Sequence, residues 1–166
     1  MSLQIQSLRK DHNTDLAKII RTSLEEFNVP KIGTVYSDPT TDDLYSLFRQ
    51  SGSAYFIAEE NGVLLGGCGI YPTEGLPKGC AELVKLYLSS ASRGKGIGKL
   101  LLEECFKSAK KMGYHQLYLE SFPQLEKAVS MYIKAGFTHL HHALGNSGHH
   151  ACTIWMIKDL DSTFLY

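Results

Sequence analysis

The feature that most restricts this chain is the stretch "ASRGKGIGKL" at residues 91–100, where three glycines at alternate positions sit among an arginine and two lysines. Before it, "CAELVKLYLSS" has the period of a strand, with Leu83, Lys85 and Tyr87 alternating with Val84, Leu86 and Leu88. After it, Ile97, Leu100, Leu101, Cys105 and Ala109 recur on one helical face up to a stop near Gly113. The stretch therefore hands a strand over to an amphipathic helix. Glycine costs conformational entropy, so three close together mark a place that needs bare backbone. Two would suffice for a tight turn. The first turn of a helix carries unpaired N–H groups and a partial positive charge, which suit phosphate oxygens. Gly94, Gly96 and Gly98 would permit close approach, and Arg93, Lys95 and Lys99 would add charge.

Two common phosphate loops fail to match. A P-loop, G-x-x-x-x-G-K-[ST], would put Arg93 at its first glycine and Leu100 at its magnesium-binding hydroxyl. The dinucleotide pattern G-x-G-x-x-G finds Lys99 where its third glycine should be. A nucleotide-binding protein of either kind is disfavoured.

The rest of the chain supplies the frame. "SLQIQSL" alternates as an opening strand, and "NTDLAKIIRTSLEEF" is a helix after Asn13 and Thr14 as caps. A breaker-rich segment leads to a second helix, "TDDLYSLFRQ", and Asn61-Gly62 joins two apolar strands as a hairpin. "YHQLYLES" is a buried strand, "LEKAVSMYIKAG" a short helix ended by Gly136, and "FTHLHHAL" and "ACTIWMIKDL" the last strands. The order β-α-α-β-β-β-α-β-α-β-β predicts one domain over residues 1–166, with a mixed sheet and helices packed on it. Zero net charge gives no footprint for nucleic acid or an anionic membrane, and no apolar run approaches the roughly 20 residues of a span. The opening residues read as too polar for a secretory signal. Cys68, Cys80, Cys105 and Cys152 form no C-x-x-C pair and sit in apolar or strand-like settings, so reduced, buried thiols in a cytoplasmic protein are expected.

One pattern does fit the glycine stretch: R-x-x-G-x-G, met by Arg93, Gly96 and Gly98. With "LYLESFPQLEKAVSMYIKAGF" downstream, carrying Ala128, Tyr132, Gly136 and Phe137 as landmarks, nearly the whole chain resembles the GNAT N-acetyltransferase superfamily. The resemblance implies the GNAT acyl-CoA N-acyltransferase fold, an α/β (α+β) arrangement of a mixed, mostly antiparallel central sheet with helices on both faces. It implies direct transfer of an acetyl group from acetyl-CoA, as cosubstrate, to a primary amine of a small molecule or peptide, without a metal. The coenzyme would be held by Leu86, Tyr87 and Leu88, paired to its pantetheine arm like an added strand, and by Arg93, Gly94, Lys95, Gly96, Ile97, Gly98 and Lys99 at its diphosphate. A splay between "CAELVKLYLSS" and "YHQLYLES" would free the backbone for this pairing, with the N–H near Leu88 as oxyanion donor. Many members carry asparagine where this chain has Leu125, which puts one pantetheine contact in question.

Catalytic roles follow from the same resemblance. Glu82 is the expected base through a water, six residues before Leu88 and on the same strand face by period-two alternation, and an exposed or salt-bridged glutamate is the competing account. Glu120 and a loop histidine, His149 or His150, are further bases. Tyr132 is the expected donor to the coenzyme sulfur, or else packing with a phenolic handle. Cys152 reads as a buried strand cysteine rather than a nucleophile. "HLHH" and "GHH" lack the spacing of a metal site. Tyr36, Asp38, Asp42 and Asp43 either attract a cationic amine or cap a helix. A homodimer through the final strand and a non-catalytic acyl-CoA sensor remain open alternatives.

Overall fold

The computed structural model describes residues 2–161, so residues 1 and 162–166 of the expected domain lie outside the described residues. The element order is β1 (Leu3–Ser7), α1 (Asn13–Glu26), α2 (Leu44–Leu47), β2 (Ala54–Glu60), β3 (Val63–Tyr71), β4 (Cys80–Leu88), α3 (Ile97–Lys111), β5 (Gln116–Ser121), α4 (Glu126–Lys134), β6 (Thr138–His139) and β7 (Ile154–Asp159). The strands form one sheet in the order β1-β2-β3-β4-β5-β7-β6. Every neighbouring pair is antiparallel except β4 and β5. The mixed, mostly antiparallel sheet and the expected order of elements are both present.

Alternation along the strands builds two cores. Ala58, Cys68, Ile70, Ala81, Leu83, Leu117, Leu119 and Met156 pack with Ile97, Leu101, Leu102, Cys105 and Ala109 of α3 and with Tyr132 near the end of α4. On the other face Tyr55, Ile57 and Leu64 pack with Leu16, Ile20 and Leu24 of α1 and Leu44 of α2. Each helix buries a row at three- and four-residue spacing, which is what its sequence period dictates. The α3 row differs by one position from the expected one. Leu100 is 41% exposed and Leu102 is buried in its place, because Leu102 continues the i, i+4 row from Gly98 whereas Leu100 points off it. Hollowing this core by Leu101→Ala would cost about 2–5 kcal/mol.

Four local expectations are corrected. The second helix is broken: a 3₁₀ turn at Pro39–Asp42 precedes the four-residue α2. Asp43 interrupts it with φ −142° and ψ 64°, its carboxylate accepting from the Ser46 N–H. Asn13 does not cap α1 but is its first residue, and its amide reaches Asp43 (2.8 Å) and the Tyr45 N–H (2.9 Å) instead. The "FTHLHHAL" strand shrinks to the two residues of β6, and β7 lies between β5 and β6. The alternation of β4 is also interrupted, as described next. Among the described residues no helix is long and apolar enough to cross a membrane.

Candidate active site

The site begins with a parting of strands. β4 pairs with β5 only over Cys80–Glu82 against Gln116–Tyr118, so from Leu83 onward the inner edge of β4 is open. Which groups face that edge follows from the ladder to β3. The Ser89 N–H donates to the Leu65 carbonyl at 2.8 Å, and hydrogen-bonding positions alternate in an antiparallel pair. Leu88 therefore turns its N–H and C=O toward the β5 side. Its carbonyl accepts there from Arg93 (3.1 Å) and from the Ser23 hydroxyl (3.3 Å).

A bulge lies in the same stretch of β4. Gly69 faces Val84 but Gly67 faces Tyr87, so β4 carries one extra residue. Lys85 takes it up with φ 55°. The faces shift accordingly: Ala81, Leu83, Leu86 and Leu88 lie toward α3, whereas Val84 and Tyr87 lie toward α1. Glu82 and Leu88 consequently do not share a face, which corrects the simple period-two expectation. Tyr55, only 3% exposed, holds the bulge by donating its hydroxyl to the Lys85 carbonyl at 2.8 Å. Room for that ring comes from β3, because a Cβ on Gly67 or Gly69 would stand 2.3 or 2.5 Å from it.

Beyond β4 lies the glycine loop. Gly94 and Gly96 have φ of 75° and 79°, the left-handed region where glycine alone is unstrained. A Cβ on either would meet nothing within 4 Å, so the space above the loop is open. Gly98 has a different purpose, since a Cβ there would come within 3.0 Å of the Met131 sulfur on α4. The first bond of α3 runs from the Leu100 N–H to the Gly96 carbonyl at 3.3 Å. Among the described residues, the N–H groups of Gly94 to Gly98 donate to no main-chain carbonyl, which leaves a row of donors at a helix start. Arg93 is engaged elsewhere. Its guanidinium pairs with Glu26, reaches Ser23 (3.2 Å) and lies 4.8 Å over the Phe27 ring, so it fastens α1 to the end of β4. Lys95 and Lys99 are exposed at the loop. Past it, Lys99, Phe106, Lys127, Met131 and Lys134 line a groove between α3 and α4.

The opened strands frame a cleft lined by Glu82, Lys85, Tyr87, Glu120, Leu125 and Tyr132, with His149 and Cys152 at its other wall. Glu82 is 4% exposed. It accepts from the Thr73 hydroxyl at 2.6 Å, and burial pushes its carboxyl up to about 7, helped by Glu120 and opposed by Thr73 and Lys85. Glu120 is differently placed, because both its oxygens are taken. One accepts from Tyr118 at 2.6 Å and the other from Ser147 at 2.5 Å. Tyr118 in turn accepts the Leu144 N–H at 3.1 Å. Glu120 thus anchors the loop between β6 and β7. Tyr132 is 8% exposed and burial holds its phenol well above the usual value. Its hydroxyl has no hydrogen bond to a described residue, and among the described residues no buried side-chain polar atom lacks a partner, so the hydroxyl keeps some exposure, and Tyr132 lines the cleft.

Three loops cover this cleft. The His149 ring meets Asp38 at 3.1 Å, His150 packs on Gly33, and the Asn146 N–H donates to the Glu74 carbonyl at 2.7 Å. Burial, then the charge of Lys85, lowers the His149 pKa. Of the acids between α1 and α2, Asp38 alone joins this assembly. Asp42 pairs with Arg21, Asp43 caps α2, and the Tyr36 hydroxyl donates to Glu25. Cys152 belongs to a loop before β7 rather than to a strand, and burial with two nearby glutamates pushes its thiol up to about 12. Among the described residues no group of histidine, cysteine and acid is placed to hold a metal. Lys85, Thr73 and Ser147 escape sequence reasoning. The glycines of "LLGGCGIY" are the one signal for the first, because glycine within a strand marks a bulge or a close approach.

Comparison with known proteins agrees with this geometry. Residues 17–137 match the sequence model of the acetyltransferase (GNAT) family. Over 157 residues, 94% of each chain, the sequence is 35% identical to the Escherichia coli K12 protein called uncharacterized N-acetyltransferase YjgM. In fold the chain is similar to an acetyltransferase of the GNAT family from Staphylococcus aureus Mu50, with TM-score 0.80 and 19% identity over 96% of this chain and 100% of that one. It is also similar to the PaiA N-acetyltransferase of Thermoplasma acidophilum, solved in complex with coenzyme A, with TM-score 0.75 and 24% identity over 96% and 99% of the two chains.

Proposed function

This chain belongs to the acetyltransferase (GNAT) family, and from that premise we propose that it moves an acetyl group from acetyl-CoA directly to a primary amine of a small molecule or peptide. The whole of residues 1–166 acts as one transferase domain in this reading. The observation that carries it is the open inner edge of β4, with a buried glutamate beneath it and a glycine loop rich in unpaired N–H groups beyond it.

The residues suit the coenzyme. Leu86 and Leu88 offer main-chain groups to the amides of the pantetheine arm, much as a strand would be added, with Tyr87 in the wall beside them. The N–H groups from Gly94 to Gly98 meet the diphosphate, and Lys95 and Lys99 bring positive charge. Arg93 contributes by bracing the end of β4. The groove between α3 and α4, with Lys99, Lys127 and Lys134 at its rim, suits the nucleotide end.

The chemistry needs a neutral amine, a polarised carbonyl and a stabilised thiolate. With its carboxyl near 7, Glu82 is a base matched to neutral pH. The amine nitrogen bonds to the acetyl carbon as the carbon–sulfur bond breaks. The nitrogen loses a proton to Glu82, directly or through a water, and the sulfur gains one from Tyr132, which recovers a proton through solvent as Glu82 gives up its own, so both residues return to their starting states. The N–H of Leu88 stabilises the carbonyl oxygen as it gains charge. Burial disfavours phenolate, so Tyr132 is protonated before the reaction and regains its proton after it, which suits it as a donor to the leaving sulfur.

A thiol-release assay over polyamines, aminoglycosides, amino acids and short peptides tests this. Release that depends on both acetyl-CoA and an amine, with N-acetylated product, is expected. Acetylation of hydroxyl or thiol acceptors alone would refute it.

A further inference from the structure

Lys85 lies in the wall of the cleft that holds Glu82, Glu120 and His149. The bulge puts it there. With unbroken alternation it would follow Ala81 and Leu83 into the apolar core beneath α3. The backbone instead adopts φ 55° at a residue with a Cβ, a conformation that L residues avoid. Tyr55 fixes its carbonyl, and Gly67 and Gly69 make way for Tyr55. Several residues on two neighbouring strands thus cooperate to turn one lysine into the cleft.

The anions nearby are already engaged. Asp38 accepts from the Thr40 N–H (2.9 Å) and hydroxyl (2.7 Å) through one oxygen and meets His149 through the other. Glu82 is bonded by Thr73, and Glu120 by Tyr118 and Ser147. Among the described residues the Lys85 ammonium makes no hydrogen bond and has no carboxylate within 4.0 Å. Asp38 and Glu82 act on its charge only from farther off, and burial works against that charge. An ammonium so placed gains strongly from an anion brought to it.

We propose that Lys85 receives a carboxylate of the acceptor, so that the substrates are small amino-carboxylates: free amino acids, or molecules that carry a carboxylate a few atoms from the primary amine. This rests on the reading of the cleft as the site of acetyl transfer to an amine at Glu82. The charge pattern favours this class over its rivals. A polyamine would set a second ammonium against Lys85. A phosphate dianion would meet Asp38, Glu82 and Glu120. A zwitterion brings one charge of each sign to a wall that carries both.

The test uses the full chain and matched acceptors, each as the free amino acid, its amide and its decarboxylated amine, with thiol release read as kcat/KM. Free acids should exceed their amides by at least tenfold. Lys85→Met should erase that preference through a rise in KM for the acids, and Lys85→Arg should keep it. Amides or plain amines used as well as acids by the unaltered protein would overturn the proposal, and so would an unchanged preference in Lys85→Met. Should Lys85→Met fail to fold, the unaltered protein and Lys85→Arg decide the matter. Absence of release from every acceptor, with acetyl-CoA bound, would instead overturn the transfer reading and this inference with it.

Discussion

Replacing Glu82 by glutamine tests the proposed base through both activity and stability. Glu82 is 4% exposed, and burial, which penalises the charged form, pushes its carboxyl up from 4.5 to about 7. At about 1.4 kcal/mol for each pH unit, ionising it inside the fold costs about 3 kcal/mol. The sign follows from proton binding. Between pH 4.5 and 7 the folded chain holds a proton that the unfolded chain has lost, so this contribution to stability falls as pH rises through that window and is flat above it. Glutamine keeps the shape and the bond from Thr73 but carries no charge. Urea unfolding at pH 4 and pH 8.5 should therefore show the Glu82→Gln protein gaining about 3 kcal/mol relative to the unaltered one, which for this size corresponds to roughly 6–12 °C in Tm. The same substitution should lower kcat by about 100-fold or more and remove the rise in rate through pH 7. A difference in stability that does not change with pH would refute the account of the buried carboxyl. A variant that keeps its rate and the rise would refute Glu82 as the base.

Two other substitutions separate chemistry from support. Tyr132→Phe should lower kcat about tenfold or more while KM for acetyl-CoA changes little, because only the hydroxyl of this cleft-lining residue is lost; steady-state kinetics check this, and an unchanged kcat would exclude proton donation. Glu120→Gln should leave turnover within about threefold, since an amide can still bond Tyr118 and Ser147, whereas a base would lose about 100-fold.

Much of this was legible in the sequence because it rests on local rules. The hairpin at Asn61-Gly62 holds with φ of 54° and 78°, as that dipeptide's tolerance of left-handed backbone requires. The turn into α3 was legible for the same reason. The third glycine was less so, since Gly98 answers to Met131 on a helix 33 residues downstream. What the sequence hid depends on contacts between distant segments. The β4 bulge needs a hydroxyl from β2 and missing side chains on β3, so the strand's own period pointed to an unbroken face. The role of Glu120 depends on Ser147 in a later loop. The α2 region failed because Asp38 and Asp43, both good caps, each start a turn of their own and divide the helix.

Amide hydrogen exchange, read residue by residue with and without saturating acetyl-CoA, tests the location of the coenzyme directly. The account predicts added protection at Leu86, Leu88 and Gly94 to Gly98, no change at the far edge along β1, and loss of the loop protection in Gly96→Ala, whose Cβ strains a φ of 79°. Saturable binding that protects other amides and leaves these as they were would contradict it.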